Sequence, residues 1–277
     1  MIIDGNHIAS ELVAAVNAAR EGFPPLVVRA VVVAPTAATR SYLKIKSLRA
    51  KDAGMELEIV ELPDGASTDD CIEAIEAHGA DAVIVQLPLP EKIDAEKVLD
   101  LIPAVLDADV LGAISRGAFA HGLEGALLPP VVGAVKEILE RANVSVSDAK
   151  VVVVGDGWLV GNPVSTWFTL QGAKVSVVTK STPDLSVLGD ADIVVSGAGS
   201  PHLIQPDMLK EGVVLIDAGT SEANGVIAGD MAPACADIAS VFTPVPGGVG
   251  PIAVACLFRN VLALLALHEN SFEESLG

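Results

Sequence analysis

Aromatic and basic residues are scarce in this chain. Aromatic side chains make up 3% of the 277 residues, with a single tyrosine, and 17 Lys and Arg stand against 36 Asp and Glu, for a formal net charge of −19. An acidic surface repels nucleic-acid phosphates and anionic membranes, so we expect neither a nucleic-acid partner nor a membrane partner. We attribute the acidic coat to solubility, and any anionic ligand requires a local gathering of the few cations.

Cysteines are also few, and targeting signals are lacking. Cys71, Cys235 and Cys256 show no Cys-x-x-Cys spacing and no ligand-like pairing with histidine, so we expect no metal site. Their apolar surroundings indicate reduced core thiols. The N-terminus lacks a basic segment followed by an apolar one, and no apolar stretch of about 18 residues is free of charge. We therefore expect no transmembrane helix and a cytoplasmic location.

Hydrophobic residues, in contrast, make up 51% of the chain, and with so few aromatics the core must be aliphatic. Valine-rich runs such as residues 26–34 and 150–154 are typical of parallel strands buried on both faces. Such runs alternate with segments of helical spacing over residues 26–101 and again over residues 131–243. This rhythm predicts parallel sheets with right-handed crossovers.

The predicted fold is therefore α/β, with two α/β domains around a cleft, the second a Rossmann-type dinucleotide-binding domain. Residues 102–130, rich in Gly, Pro and Ala, are predicted to be an irregular connection, and a final helix is predicted over residues 252–268. We expect this helix to return to the first domain. The first domain then comprises residues 1–132 plus 252–277, and the second comprises residues 133–251.

A glycine-rich turn follows the strand at 150–154. Gly155, Gly157 and Gly161 form a G-x-G-x-x-x-G pattern that also contains Asp156 and Val160. Glycines here allow a tight turn and a close approach of the backbone to a pyrophosphate, which a helix N-terminus then binds. The pattern predicts a dinucleotide site. The alternative is a tight turn in an α/β domain that binds no ligand.

The end of the next strand indicates which cofactor is bound. A free ribose 2′-hydroxyl is usually met by an acid at this place. Thr179, Lys180 and Ser181 stand there instead, and a lysine with two hydroxyls suits a 2′-phosphate. We therefore expect NADP rather than NAD, although Asp156 argues mildly for NAD.

Two further segments carry candidate catalytic residues. Tyr42 and Lys46 are four residues apart in a predicted helix and share one face, where they could bind a ring and move a proton. Gln86 ends the third predicted strand, and ligands of open α/β sheets bind beyond the carboxyl ends of strands. The alternatives are a solvated lysine and an amide that satisfies loop backbone.

The run over residues 243–251 holds three glycines and three prolines, and an apolar helix follows it. Proline fixes φ and lacks an N–H group, whereas glycine permits positive φ and close backbone approach. Such a constrained segment is a shaped loop, which favours ligand binding over a plain turn.

Together these motifs resemble the methylenetetrahydrofolate dehydrogenase/cyclohydrolase family, of FolD type, over almost the whole chain. The strings that carry the resemblance are Tyr42-x-x-x-Lys46, Val85-Gln-Leu-Pro-Leu-Pro90, Gly155…Gly161-x-Pro163, Ile216-Asp-Ala-Gly219, Gly229-Asp230 and Thr243-Pro-Val-Pro-Gly-Gly-Val-Gly-Pro251.

The resemblance implies NADP-dependent oxidation of 5,10-methylenetetrahydrofolate and hydrolysis of the methenyl product to 10-formyltetrahydrofolate, by a homodimer. It implies that Lys46 transfers the proton, that Gln86 hydrogen-bonds Lys46, and that Tyr42 stacks on the folate ring. It also implies a pterin-binding carboxylate, which a gap-free count from Pro90 places at Asp109. The remaining implied positions are Pro246, Gly247 and Gly248 for substrate, and Gly197 and Gly219 for cofactor, beside the turn at 155–161.

The chain departs from the family pattern at several of these positions. Val110 stands where the family's D-V-D-G stretch has glycine, and an alignment on Gly112 instead would put Leu111 at the pterin position. Asp156-Gly157 replaces a typical Arg-Ser. Two alternatives therefore stay open: a family member with one activity or a changed substrate, and a non-catalytic NAD(P)-binding protein.

Overall fold

The computed structural model describes residues 1–223 and 226–276, which form two compact units. The five-stranded unit comprises Met1–Ala9 and Val131–Ala253, and the three-stranded unit comprises Ser10–Pro130 together with the chain from Val254 onward. The sequence had placed residues 1–132 in one domain. The structure instead groups the first nine residues with the five-stranded unit, where the Ile3 N–H donates to the Phe242 carbonyl at 2.9 Å. Gly277, the end of the predicted first domain, lies outside the described residues.

The three-stranded unit is built on a parallel sheet in the order β2-β1-β3. Seven of the eight β1 residues are buried, so this strand is covered on both faces as expected. Its strands are β1 Leu26–Val33, β2 Met55–Leu62 and β3 Ala82–Val85. Its helices, the first shared with the other unit, are α1 Gly5–Ala19, α2 Ala37–Asp52, α3 Thr68–Glu76, α4 Ala95–Asp100 and α5 Ala113–Ala120.

The five-stranded unit is built on a second parallel sheet, in the order β10-β7-β6-β4-β5. Its strands are β4 Lys150–Val154, β5 Lys174–Val178, β6 Ile193–Ser196, β7 Val214–Asp217, β10 Val241–Phe242 and, in a separate antiparallel pair, β8 Ser221–Ala223 and β9 Val226–Ala228. Its helices are α6 Pro130–Arg141, α7 Gly161–Leu170 and the start of α8 Val249–Leu276. The two parallel sheets and their helices confirm the predicted α/β class.

Three local predictions needed correction. Residues 102–130 are not wholly irregular, because they contain a 3-10 turn at Ala104–Leu106 and helix α5. The sequence signal was weak there because glycine lies within α5 and only Phe119 is buried. The β8–β9 pair was not predicted. Helix α8 begins at Val249 rather than at residue 252, since Pro251 falls in its first turn, where no helical N–H bond is lost.

Helix α8 contains a segment, Val249–Leu267, whose length and mean hydropathy of 1.9 would allow it to cross a membrane. About half of it, 56%, is buried inside the protein, as in the core helix of a soluble protein. Within it, the Asn260 side-chain amide donates to the carbonyls of Ala108 at 2.9 Å and Leu128 at 2.8 Å. This pairing with the protein makes the segment weak evidence for a membrane span.

Candidate active site

The path of the chain locates a ligand site in each sheet. In the three-stranded unit the chain runs from the central β1 to β2 on one side and then to β3 on the other. In the five-stranded unit it runs from β4 to β5 on one side and then to β6 on the other. Open α/β sheets bind ligands at such reversals, beyond the carboxyl ends of the strands. The two expected places for a ligand are therefore the carboxyl ends of β1 and β3, and those of β4 and β6.

A lysine, an amide and a phenol ring meet at the first place. Helix α2, capped by the Thr36 hydroxyl, presents Tyr42 and Lys46 on one face. The Lys46 ammonium lies 5.0 Å from the centre of the Tyr42 ring and donates to Gln86 Oε1 at 3.3 Å. The Gln86 amide in turn donates to the Leu87 carbonyl at 2.9 Å, which fixes which end of the amide faces the lysine. Lys46 is 7% exposed and Tyr42 is 41% exposed, so the ring faces solvent while the amine is enclosed.

A buried carboxylate shapes the turn that lies next to β3. Asp107 bridges to Val83 of β3, is completely buried, and accepts from the N–H groups of Leu111 at 3.0 Å and Gly112 at 2.7 Å. Burial raises the pKa of Asp107, against the lowering effect of these backbone bonds. Asp107 therefore folds the segment into a tight turn, and its own oxygens are occupied by backbone.

Asp109 lies in the same turn, near enough to Lys46 for the two charges to interact. Burial raises the pKa of its carboxyl to about 6, with the nearby Lys46 ammonium lowering it and Asp107 raising it. The following Val110 is forced to φ +58° and is buried, and Leu111 is 4% exposed within the apolar core of this unit. The turn thus keeps a carboxylate within electrostatic range of Lys46 and buries the leucine that an alternative alignment would put at the pterin position.

The glycine turn after β4 leaves no room for side chains at its ends. Gly155 has φ +101°, and a Cβ on Gly161 would overlap the Gly155 carbonyl. Across the strand reversal, a Cβ on Gly197 would overlap the Val160 side chain, and the Gly197 N–H donates to the Val154 carbonyl at 2.9 Å. The turn and the residues after β6 therefore pack backbone to backbone.

The middle of the same turn is open. A Cβ on Gly157 would meet nothing within 4 Å, and Asp156 and Gly157 are exposed at the N-terminus of the ten-residue α7. An open, backbone-lined turn at a helix N-terminus fits a pyrophosphate. The residues present therefore fit a dinucleotide.

A cluster of hydroxyls follows β5. The Thr179 Oγ1 lies 2.7 Å from the Ser181 Oγ and 3.0 Å from the Thr182 Oγ1. Lys180 between them is exposed. Exposed hydroxyls beside a lysine fit the extra phosphate of NADP, and the role of these three residues stays a prediction.

Two buried aspartates, which the sequence analysis did not assign to the site, organise the loops beside the turn. Asp217 ends β7 and Asp230 follows β9, and they are 2% and 0% exposed. A Cβ on Gly219 would overlap the Asp230 carboxylate, and a Cβ on Gly229 would overlap that of Asp217. The sequence signal that could have identified them was a glycine within two residues of each aspartate, in the strings Ile216–Gly219 and Gly229-Asp230. Burial raises the pKa of Asp217 to about 6, and Asp230 adds to the rise.

The glycines of the loop at 243–248 pack against the N-terminal segment. The Gly5 N–H donates to the Gly247 carbonyl at 2.9 Å, and a Cβ on Gly5 would overlap the Gly248 carbonyl. Gly247 has φ +101°, and Pro246 is exposed at the tip. These contacts require close backbone approach whether or not a ligand binds there.

The structure thus brings Tyr42, Lys46, Gln86 and Asp109 together in the three-stranded unit. The predicted cofactor residues gather at the carboxyl edge of the second sheet, and Pro246, Gly247 and Gly248 belong to that same unit. Their individual roles stay predictions.

Two family models match the chain. Residues 3–109 match the tetrahydrofolate dehydrogenase/cyclohydrolase catalytic domain, and residues 129–269 match the NAD(P)-binding domain of the same family. The bifunctional protein FolD of Staphylococcus aureus is 34% identical over 273 residues, which cover 94% of this chain and 95% of that protein. The FolD protein of Exiguobacterium sibiricum is 35% identical over 231 residues, 81% of this chain and 83% of that protein.

Solved structures give the same result. The methylenetetrahydrofolate dehydrogenase-cyclohydrolase (FolD) of Trypanosoma brucei, complexed with NADP cofactor and inhibitor, superposes with a TM-score of 0.90 at 29% identity, covering 97% of this chain and 98% of that one. The bifunctional FolD enzyme of Campylobacter jejuni superposes with a TM-score of 0.90 at 27% identity, covering 96% and 99%.

Proposed function

The chain belongs to the tetrahydrofolate dehydrogenase/cyclohydrolase family, and from that premise we propose which of its residues perform the reactions. It oxidises 5,10-methylenetetrahydrofolate to 5,10-methenyltetrahydrofolate with NADP, and it hydrolyses this product to 10-formyltetrahydrofolate. The observation that carries the assignment of residues is the enclosed Lys46 ammonium, held by Gln86 at 3.3 Å at the carboxyl ends of β1 and β3.

Lys46 is the proton-transfer residue of the hydrolysis. Water adds to the methenyl carbon, and the ring then opens at one nitrogen, so a proton must leave the attacking water and a proton must reach the departing nitrogen. A single amine close to the carbon can do both in turn. Gln86 accepts from the ammonium through Oε1, because its other end is committed to the Leu87 carbonyl. Gln86 therefore orients the amine.

Asp109 and Tyr42 hold the substrate. A carboxylate is the partner of choice for the paired N–H donors of a pterin, and Asp109 is the carboxylate in this cluster whose oxygens are not committed to turn backbone, as those of Asp107 are. Tyr42 offers a half-exposed ring for stacking on the folate. Substrate contacts by Pro246, Gly247 and Gly248 belong to the same proposal.

NADP supplies the hydride acceptor. We assign its pyrophosphate to the open turn at Gly155–Gly161, with Val160 at the start of α7 and Gly197 and Gly219 beyond the neighbouring strands. We assign its 2′-phosphate to Thr179, Lys180 and Ser181. The open space at Gly157 and the exposed hydroxyl cluster support this assignment. The chain's task at this end is to hold the nicotinamide in place, since positioning supplies much of the rate effect.

We propose a division of labour between the three-stranded unit, which binds folate, and the five-stranded unit, which includes residues 1–9 and binds the cofactor. We also propose a cytoplasmic homodimer. The family resemblance and the separate matches of the two halves support the division. Light scattering after gel filtration tests the dimer: a mass of one chain, 28.3 kDa, would contradict it.

The Lys46→Met variant tests the catalytic assignment. Methionine matches the length of the lysine stem without its amine, so the fold is expected to persist while hydrolysis of methenyltetrahydrofolate is lost. Lys44→Met is the matched control, because Lys44 is exposed and off the shared face of α2. The loss of methenyl absorbance follows hydrolysis, and the rise of reduced-nicotinamide absorbance follows oxidation in the same samples. Normal hydrolysis by Lys46→Met would refute the role.

A further inference from the structure

Asp230 ties down the loop that follows β6. Its Oδ2 accepts from the Ala198 N–H at 2.7 Å, the Gly199 N–H at 3.3 Å and the Ser196 hydroxyl at 2.6 Å. Its Oδ1 accepts from the Ser200 N–H at 2.7 Å. Three successive backbone donors therefore converge on one carboxylate. A neutral side chain of this size could not accept hydrogen bonds from all three together.

Asp217 in turn holds Asp230. Its Oδ1 accepts from the Gly219 N–H at 3.0 Å and the Asp230 N–H at 3.2 Å, and its Oδ2 accepts from the Met231 N–H at 2.8 Å. Asp217 also fixes the next loop, because its own N–H donates to the Thr243 Oγ1 at 2.7 Å. Two buried carboxylates thus connect four segments, which follow β6, β7, β9 and β10.

The loop held by Asp230 lies at the reversal between β4 and β6. Ser196 and Asp217 are register partners at the carboxyl ends of β6 and β7, and Gly197 packs against Val160 and Gly155 of the glycine turn. A shift of the loop at 197–200 would therefore move one wall of the cofactor turn, because no free space separates their backbones.

We infer that Asp230, held by Asp217, is a positioning residue for the NADP cofactor: it fixes the loop at 197–200 against the glycine turn at 155–161. Burying two carboxylates is costly, and backbone donors offset that cost only while the loops keep this arrangement. The pair therefore selects one conformation of the cofactor edge before NADP arrives. The inference rests on the NADP-dependent function proposed above.

Asp230→Asn and Ser196→Ala test it. The amide keeps one acceptor oxygen and loses the other, so the loop loses at least one charged hydrogen bond and the Kd for NADP is expected to rise about tenfold. Ser196→Ala keeps the carboxylate and removes one donor, so a smaller rise is expected. Asp192→Asn is the control. It makes the same chemical change at the amino end of β6, away from the loop at 197–200, where Asp192 pairs with Lys210 at 2.5 Å. It is expected to leave the Kd unchanged.

Two measurements on each full-length variant decide the outcome. Titration calorimetry gives the Kd for NADP, and hydrolysis of methenyltetrahydrofolate, which needs no nicotinamide, reports the integrity of the folate site. Weaker NADP binding with hydrolysis retained supports the positioning role. Unchanged Kd values in both variants, or a parallel loss of binding and hydrolysis in both, overturn it. If the unmodified protein itself neither binds NADP nor oxidises methylenetetrahydrofolate, the proposed function fails instead.

Discussion

Val110 is a buried β-branched residue in the left-handed region, with φ +58° and 2% exposure. A Cβ in that conformation costs about 1–2 kcal/mol, and glycine avoids the cost. At an ordinary buried position glycine is less stable than alanine, by about 1 kcal/mol in a helix, through chain entropy and the missing methyl group. At Val110 the glycine variant should therefore be at least as stable as the alanine variant, whereas at other buried positions of the same unit the alanine variant should be the more stable.

The magnitude follows from a comparison with Val98, which is completely buried in α4 of the same unit. Both positions lose the valine methyl groups in either variant, so the packing terms largely cancel in the glycine-minus-alanine difference. We expect Val98→Gly to be less stable than Val98→Ala. At Val110 the difference should shift by about 1–2 kcal/mol in favour of glycine, making Val110→Gly as stable as Val110→Ala or more so.

Hydrogen exchange of the β1 amides measures this, because these buried amides exchange through opening of the three-stranded unit. Both tryptophans, Trp158 and Trp167, lie in the other unit and would not report on it. Equal glycine-minus-alanine differences at Val110 and Val98 would refute the left-handed assignment and, with it, the turn that places Asp109 beside Lys46.

Three further outcomes are expected. Burial raises the pKa of Asp109 to about 6, and in the role proposed for it the ionised form accepts the pterin N–H groups. The KM for the folate substrate should therefore rise as the pH falls through 6, approaching about tenfold per pH unit below it. A flat profile contradicts this, and Asp109→Asn should show a high, pH-independent KM. Asn260→Leu removes the donor to the buried Ala108 carbonyl and the half-buried Leu128 carbonyl, and it should lower the free energy of unfolding by about 2 kcal/mol, measured in urea; a change below about 0.5 kcal/mol would argue against these bonds. Gly161→Ala overlaps the Gly155 carbonyl and should cost about 1–3 kcal/mol of stability, whereas Gly157→Ala, which has open space, should cost little; similar thermal midpoints for the two would contradict the geometry of the turn.

The sequence predicted what depends on local pattern. Valine runs buried on both faces indicated the parallel sheets, and the spacing of Tyr42 and Lys46 put both on one face of α2. The glycine pattern located the turn at the end of β4. The signal was weak for α5, which contains a glycine and buries only Phe119, and absent for the β8–β9 pair, whose strands are three residues each.

What the sequence by itself determined is therefore the class of each segment and the residue types at the carboxyl ends of the strands, since burial and helical period act over a few residues. Tertiary structure alone decided which of these residues meet. Gln86 reaches Lys46 across 40 positions of chain, and Asp230 reaches the loop after β6 across about 30. Asp109, and not Leu111, lies near Lys46 because Asp107 closes the turn that contains both. Met1–Ala9 belongs to the five-stranded unit because its backbone forms hydrogen bonds with the strand near residue 242. Such contacts depend on the path of the chain in space, which no local pattern encodes.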